Sequence, residues 1–309
     1  MKPLVIGSRG SRLALWQSNF IKEEIQKANS KLQVEIAVIK TTGDTISETA
    51  FGGFSGTGKG IFVKEIEEAL LRGEVDLAVH SLKDVPTELA SDFTLAAIPA
   101  RADVRDALVA GPGIRNWEEL PVGATLGTSS LRRTVQLKSL RKDFIVQVLR
   151  GNVDTRIRKR TELGLDGVIL AAAGLKRLGL EQHVSCFFPA DVLLPAVGQG
   201  ALAIETRTQD LRVLRAVAPL EDPVTRACTN AERVFLARMG GGCQVPMGAH
   251  AQMHNQTARF TALVASPERG EILRHALEGD PARLDELAEE TAEYLLSHGA
   301  DRILKELEL

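Results

Sequence analysis

A cysteine stands in a glycine-rich stretch near the end of the chain, GGGCQVPMG at residues 240–248. Glycines give the backbone freedom and no side-chain cover, so the thiol of Cys243 is expected to be presented rather than buried. Cys186 precedes two phenylalanines and Cys228 lies in a helical pattern, so both are interpreted as small core residues. No CxxC pair or metal-binding cluster is predicted around Cys243. Its chemistry must therefore be that of a single accessible thiol.

A carboxylate follows the strand-like run VDLAVHSL at residues 75–82. Ser81, Lys83 and Asp84 come where open α/β sheets place their ligands, beyond the carboxyl ends of the strands. The alternative is an ordinary solvated passage from strand to loop. His80 is interpreted as a satisfied core histidine rather than a catalyst. Asp84 is therefore the one well-placed acid.

Arginines recur where predicted strands end. The sequence GTSSLRR at 127–133 indicates a strand, a Ser/Thr cap and a helix whose first turn holds two cations, which the helix dipole disfavours. An anion at this helix start would relieve that repulsion. Each arginine alone is typical of a solvated surface. Four such loops and the turn that carries Lys83, five loops in all, predict one cleft that binds carboxylates, which arginine holds bidentately. The residues of this set are Arg9, Thr128, Ser130, Arg132, Arg133, Arg150, Arg156 and Arg177.

A second glycine-rich stretch, GFSGTGKG at 53–60, nearly matches the phosphate-loop pattern GxxxxGK[ST]. Gly60 stands where a Ser or Thr should bind magnesium, which argues against a phosphotransferase. The favoured interpretation is a mobile loop with one useful cation, Lys59.

Composition limits the partners. The 309 residues carry a net charge of −2 and only 4% aromatics, so neither a polyanion binder nor a platform for single-stranded nucleic acid is expected. The N-terminus lacks the features of a signal peptide, and no apolar run reaches the length of a membrane span. We expect a cytoplasmic protein with no membrane or nucleic-acid partner. No coiled-coil or hydrophobic seam indicates assembly, so a monomer is predicted.

Apolar runs alternate with helical periodicity over the first two thirds of the chain, which predicts βαβ units and covered, largely parallel sheets. Two such sets of similar size predict an α/β fold class with two similar lobes and a cleft between them. The pattern then changes to a long helix, three strands and two helices, which indicates a small α+β domain. The predicted domains are 1–99 plus 200–219 for the first lobe, 100–199 for the second and 220–309 for the third.

In order and spacing, the motifs resemble those of the porphobilinogen deaminase (hydroxymethylbilane synthase) family over essentially the whole chain. The resemblance implies two lobes like those of two-domain periplasmic-binding-protein-like folds, with the small third domain carrying the cysteine. The motifs are SRGSRLALWQ, GKGIFVKEIE, DLAVHSLKDVPT, GTSSLRR, RGNVDTR, AAAGLKRLG, LPAVGQGALAIE and AERVFLARMGGGCQVPMGA.

The resemblance also implies an activity. The family's transferases join four porphobilinogen molecules head to tail, with loss of ammonia, into the linear tetrapyrrole hydroxymethylbilane. They build it on a dipyrromethane cofactor bound covalently to a cysteine, which by position is Cys243, through a thioether. Each porphobilinogen carries an acetate and a propionate, so the site must hold many carboxylates.

Site residues follow from the same resemblance. Asp84 is the implied catalytic acid, which hydrogen-bonds pyrrole N–H groups and stabilises the cationic azafulvene left when ammonia departs. Gln199 lies in the interdomain crossing, and Lys59 belongs to a mobile loop over the cleft. The implied ligands of cofactor and substrate carboxylates are Arg9, Lys83, Arg132, Arg133, Arg150, Arg156 and Arg177. Further hydrogen bonds come from Ser81, Thr128 and Ser130.

A solute- or effector-binding protein of the same two-lobed architecture is the main alternative. Its lobes would account for the arginines. It has no use for Cys243, which the covalent cofactor explains.

Overall fold

Short apolar runs form the strands, and amphipathic segments form the helices that cover them. The computed structural model describes residues 2–40, 63–240 and 246–307. Within these residues the strands are β1 Leu4–Ser8, β2 Val34–Val38, β3 Leu77–Ser81, β4 Phe93–Ala97, β5 Asp106–Ala110, β6 Thr125–Gly127, β7 Ile145–Gln147, β8 Gly167–Ala171, β9 Cys186–Phe187, β10 Leu202–Arg207, β11 Met247–His254, β12 Thr257–Ser266 and β13 Glu271–Gly279. The α-helices are α1 Arg12–Ala28, α2 Lys64–Leu71, α3 Leu131–Leu140, α4 Val153–Glu162, α5 Ala172–Arg177, α6 Leu211–Val217, α7 Pro223–Arg238, α8 Leu284–Leu295 and α9 Asp301–Leu307.

The chain divides into two compact units. The first unit consists of Met1–Ala102 and Ala201–Arg226, and the second of Asp103–Gly200 and Ala227–Leu309. The three domain ranges predicted from the sequence stay predictions, since a division into two units does not test them.

The first unit is built on a sheet whose described strands have the order β2-β1-β3-β10-β4. Strands β1, β2 and β3 are parallel, whereas β10 runs antiparallel between β3 and β4. Ile21 and Ile25 of α1 pack with Leu4 and Ile6 of β1 in the core of this unit. Ser11 starts α1 at the edge of the sheet, where its side chain accepts a hydrogen bond from the N–H of Ala14 at 3.3 Å.

The second unit repeats this strand order in the sheet β7-β6-β8-β5-β9 of the described residues. Strands β6, β7 and β8 are parallel, and β5 runs antiparallel between β8 and β9. The two α/β sheets therefore share one topology, in which an antiparallel strand separates the parallel strands from the edge strand. The two similar lobes of the predicted fold class are confirmed, but the sheets are mixed rather than largely parallel.

A third sheet, β11-β12-β13, is antiparallel and also belongs to the second unit. Helices α7 and α8 supply its core, in which Phe235 and Phe260 lie with their ring centroids 5.8 Å apart. The two helices predicted at the end of the chain are α8 and α9. They are separated at Gly299, whose φ of 108° is a backbone conformation that glycine adopts without strain. The predicted small α+β domain is confirmed.

In the described parts of the chain, none of the helices combines the length and apolar character needed to cross a membrane.

The core of the third sheet gives a test of the fold. Phe235 is fully buried against Phe260, so Phe235→Ala removes an aromatic ring and leaves a cavity. We expect the free energy of unfolding to fall by about 3–5 kcal/mol, measured by denaturant titration. Val122→Ala is the control, because Val122 is 91% exposed, and its effect should stay within about 0.5 kcal/mol. A small effect of Phe235→Ala would contradict the packing described for this sheet.

Candidate active site

The segment after β3 presents Asp84. Residues Leu82–Asp84 form a single 3₁₀ turn whose first side chain is buried and whose last is exposed. The N–H of Leu82 donates to the carbonyl of Ala201 at 3.0 Å, and Gln17 Nε2 donates to Ser81 Oγ at 2.8 Å. The backbone of the turn is thus held in the sheet of the first unit while its carboxylate faces solvent.

Arg9 reaches the same edge of that sheet. It follows β1 directly, and β1 pairs with β3 in parallel, with Ile6 opposite Leu77. Carboxyl ends of adjacent parallel strands meet at one edge, where open α/β sheets bind ligands. The structure therefore brings together four predicted site residues of the first unit: Arg9, Ser81, Lys83 and Asp84.

In the second unit, two predicted arginines share one carboxylate. Arg132 Nη2 lies 2.8 Å from Asp106 Oδ2, and Arg133 Nη2 lies 2.7 Å from Asp106 Oδ1. Both guanidinium groups also donate to backbone carbonyls, Arg132 to Leu194 and Arg133 to Ile169. All three charged side chains are buried.

Asp106 is the residue that sequence reasoning missed. The two arginines at the start of α3 do need an anion, as the helix-dipole argument predicts, but the protein supplies one itself. Asp106 opens β5, opposite Ala171 at the end of β8, and so lies at the carboxyl edge of the parallel strands. The polar stretch RADVRD before this strand was the available signal, since it places an acid directly where an apolar run begins.

The electrostatics of this cluster favour the ionised carboxylate. Burial opposes the charge of Asp106, but the charges and hydrogen bonds of Arg132 and Arg133 outweigh it and hold the pKa of the carboxyl well below its usual range. The buried Nε atoms of both arginines have no hydrogen-bond partner among the described residues. Two donors in this cluster thus remain available to a further acceptor.

Hydroxyl groups line the start of α3. Ser130 caps the helix by accepting from the N–H of Arg133 at 3.4 Å. The N–H of Ser130 in turn donates to Oγ1 of Thr128 at 3.2 Å, and Thr128 is buried. Both predicted hydroxyl residues therefore belong to the same strand-to-helix turn as the two buried arginines.

The other predicted cations of the second unit differ in exposure. Arg177 Nη2 donates to the carbonyl of Gly200 at 2.7 Å, and burial lowers the pKa of Arg177 to about 10. Arg156 Nε donates to the carbonyl of Gly151 at 2.7 Å, whereas Arg150 is exposed. These three residues follow β8 and β7, so they too lie beyond the carboxyl ends of parallel strands.

Gln199 joins the Asp106 cluster from the segment before β10. Its Nε2 donates to Asp106 Oδ1 at 2.8 Å and to the carbonyl of Val104 at 2.7 Å. The neighbouring N–H of Gly198 donates at 2.7 Å to Oε2 of Glu232, a buried residue of α7 whose Oε1 accepts from Ala251 of β11 at 3.0 Å. One buried carboxylate thus ties this segment to the third sheet.

The third sheet also packs directly on Arg132. A Cβ placed on Gly248 would lie 2.8 Å from the carbonyl oxygen of Pro195 and 3.3 Å from Arg132 Cδ. A side chain at this position would overlap the backbone of residue 195, so only glycine lets β11 approach the arginine so closely.

Two predicted site residues, Lys59 and Cys243, lie outside the described residues, as does the whole stretch 53–60. In the parts that the structure describes, no group of three or more His, Cys, Asp or Glu side chains could hold a metal ion.

The Asp106 cluster predicts a large effect of a small change. Asp106→Asn keeps the size of the side chain but leaves two buried guanidinium groups without their counter-charge. We expect the free energy of unfolding to fall by about 3–5 kcal/mol at neutral pH. Asp103→Asn is the control, because the pair that Asp103 forms with Arg105 is partly exposed and should contribute no more than about 1 kcal/mol.

The same variant should change the pH dependence of stability. Because the folded pKa of Asp106 is depressed, its contribution is present above the ordinary carboxyl pKa of 3.8 and is lost as the pH falls below that value. The difference in stability between the parent protein and Asp106→Asn should therefore shrink as the pH is lowered from 5 towards 3. A constant difference over this range would contradict the ion-pair assignment.

Comparison with known proteins places this chain in a family. Residues 4–215 match the family model described as porphobilinogen deaminase, dipyromethane cofactor binding domain, and residues 226–297 match that of the porphobilinogen deaminase C-terminal domain. Among solved structures, the methionine-binding protein MetQ has a TM-score of 0.45 and 11% sequence identity, over 74% of this chain and 94% of that one.

Curated relatives align over nearly the full chain. A porphobilinogen deaminase of Syntrophotalea carbinolica is 47% identical over 306 residues, which cover 99% of this chain and 96% of that relative. A porphobilinogen deaminase of Roseiflexus castenholzii is 48% identical over 301 residues, which cover 97% of this chain and 98% of that relative. The chain therefore belongs to the porphobilinogen deaminase family, whose enzymes build tetrapyrroles.

Proposed function

We propose that this chain joins four porphobilinogen molecules head to tail, releasing ammonia at each step, to make hydroxymethylbilane on a dipyrromethane primer attached to Cys243. The observation that carries the proposal is the match to both family models and to relatives that align over nearly their full length, on a chain that has Asp84, Cys243 and the arginine set. The match also favours the enzyme over a solute-binding protein of similar architecture.

The charges of the described residues fit a primer and substrate with several carboxylates. Arg132 and Arg133 keep a buried Nε donor each after pairing with Asp106. Arg150 and Arg177 add cations beyond the carboxyl ends of the parallel strands in the second unit. Arg9 and Lys83 do the same in the first unit. A buried or half-buried guanidinium group binds a carboxylate by about 1.5–3 kcal/mol per charge-assisted bond, so cations in this number suit a polycarboxylate.

The reach of the chain supports Cys243 as the attachment point. Gly248, which packs on Arg132, follows Cys243 by only five residues. Five extended residues span at most about 18 Å. This short separation along the chain is compatible with a primer on Cys243 that reaches the arginine cluster. When bound, the primer would supply the nucleophilic pyrrole carbon to which substrate is added.

Asp84 is the group that we assign to the chemical step. As the aminomethyl C–N bond of porphobilinogen breaks and ammonia leaves, positive charge develops on the pyrrole ring and its N–H. An exposed carboxylate on a backbone-anchored turn can accept a hydrogen bond from that N–H, and the interaction strengthens as the charge grows. Ser81 and Lys83 of the same turn, together with Thr128 and Ser130, would orient substrate carboxylates. Gln199, through Asp106, would hold the arginines in place.

A cytoplasmic location and a monomeric state, both predicted from the sequence, stay predictions.

Intact-protein mass spectrometry tests the primer. We expect freshly purified protein to exceed its sequence mass by two porphobilinogen-derived units, and Cys243→Ser to lose this increment. Cys186→Ser is the matched control and should keep it, because Cys186 lies on the edge strand β9 and has no role in the proposal. An unmodified Cys243 in protein purified from cells that make porphobilinogen would overturn the attachment.

The role of Asp84 is tested by kinetics. Asp84→Ala should lower kcat about 100-fold or more while the primer mass is retained, since the carboxylate acts on charge that develops only during reaction. Glu88→Ala removes an exposed acid four residues further on and should leave activity close to that of the parent. Near-normal turnover by Asp84→Ala would remove its proposed role.

A further inference from the structure

A buried pair of ionisable side chains lies in the sheet of the first unit, behind the turn that carries Asp84. His80 Nε2 and Glu205 Oε2 are 2.8 Å apart, and the two side chains are 8% and 0% exposed. The other carboxylate oxygen, Oε1, is buried and has no hydrogen-bond partner among the described residues. The histidine is thus the partner on which this carboxylate depends.

Such a pair is a poor source of stability. Withdrawing two ionisable groups from water is energetically costly, and apolar side chains of similar volume often stabilise a fold as well or better. The surroundings of the pair are desolvated. The pKa of Glu67, on the covering helix α2, is raised mainly by burial and then by the charge of Glu205. A fully buried carboxylate therefore calls for a role other than general stability.

Few of the residues that β3 and β10 place opposite each other can bond to one another, and the other buried polar contact, from the hydroxyl of Thr206 to the carbonyl of Asp76, lies at the end far from the turn. Strand β3 reads LAVHS and β10 reads LAIETR, and each polar residue of this ladder faces an apolar one, with Ala203 opposite His80 and Ala78 opposite Glu205. On its other side, β10 pairs with β4 through an irregular register at Ile204 and Glu205. A shift by one residue would turn every side chain to the other face of the sheet, so the competing registers differ by two residues. A buried polar pair is satisfied in only one of them.

The register of β10 against β3 sets the position of the catalytic turn. Leu202 lies opposite Ser81, and the N–H of Leu82, the first residue of the turn, donates to the carbonyl of Ala201 at 3.0 Å. Asp84 follows two residues later. A shift of β10 along β3 would break this anchor and move the carboxylate.

We propose that the His80–Glu205 pair fixes the register between β3 and β10 and thereby positions Asp84 for reaction. The two residues are positioning residues, since neither is required to touch substrate. The proposal rests on the role assigned to Asp84 under the proposed function. Loss of the pair should reduce kcat, because the carboxylate of Asp84 is then displaced from the positive charge that develops on the substrate. KM should change little, because arginines at other strand ends hold the substrate carboxylates.

Three single variants test the assignment. Glu205→Met removes the hydrogen bond but keeps the length of the side chain, and we expect kcat to fall tenfold or more with KM within twofold and the primer mass unchanged. Glu205→Gln keeps an acceptor for His80 and should retain kcat within threefold. Thr206→Val is the stability control, because the buried hydroxyl of Thr206 donates to the carbonyl of Asp76 at the far end of β3. It should lower Tm with kcat within twofold.

If Glu205→Met does not fold, the double variant His80→Leu with Glu205→Met makes the same test without an unpaired buried polar group. It should match or exceed the parent in Tm and still lose kcat tenfold. A kcat within twofold of the parent in the folded Met variant, single or double, would overturn the register role. Asp84→Ala in the same assay separates the two proposals: if it is inactive while the Met variant is active, only the register proposal fails.

Discussion

Two guanidinium groups and one carboxylate, all buried, hold the second unit together at the edge where its parallel strands end. Asp106 opens β5, Arg132 and Arg133 open α3, and Gln199 reaches the same carboxylate from the segment before β10. Removing one member would leave a buried charge unpaired, which is far more costly than the pair is stabilising. The three segments are therefore fixed relative to one another, and the third sheet is placed in turn because Gly248 packs on Arg132.

Much of this architecture could be predicted from local pattern. The strand-like run at 75–82, for example, marks β3 to within two residues. Strand direction could not be predicted in the same way. An apolar run has the same pattern in a parallel and in an antiparallel strand. In addition, β10 comes from a distant part of the chain and lies between β3 and β4, which no local pattern indicates. The expectation of largely parallel sheets was wrong for this reason.

In the candidate site, too, some features could be predicted from the sequence and others could not. The arginines could be found because cations at strand ends and in a first helical turn are locally unfavourable, so their presence asks for an anion. The acid at the start of an apolar run marks Asp106 as unusual, but nothing local pairs it with Arg132, which lies 26 residues away along the chain. His80 was correctly interpreted as a satisfied core histidine, but its partner Glu205 is 125 residues away. Long-range polar pairs leave no periodic signal, and in this protein they decide which segments meet.

The place of β10 has a consequence for how the protein is made. The strand lies between β3 and β4, yet it is synthesised after every strand of the second α/β sheet. While the ribosome is translating that stretch, the N-terminal part of the chain has no β10, and β3 and β4 each lack the neighbour that will bond their edges. Unpaired edges of this kind attract other chains and are common binding sites for chaperones. The first unit therefore cannot complete its sheet until β10 has been synthesised.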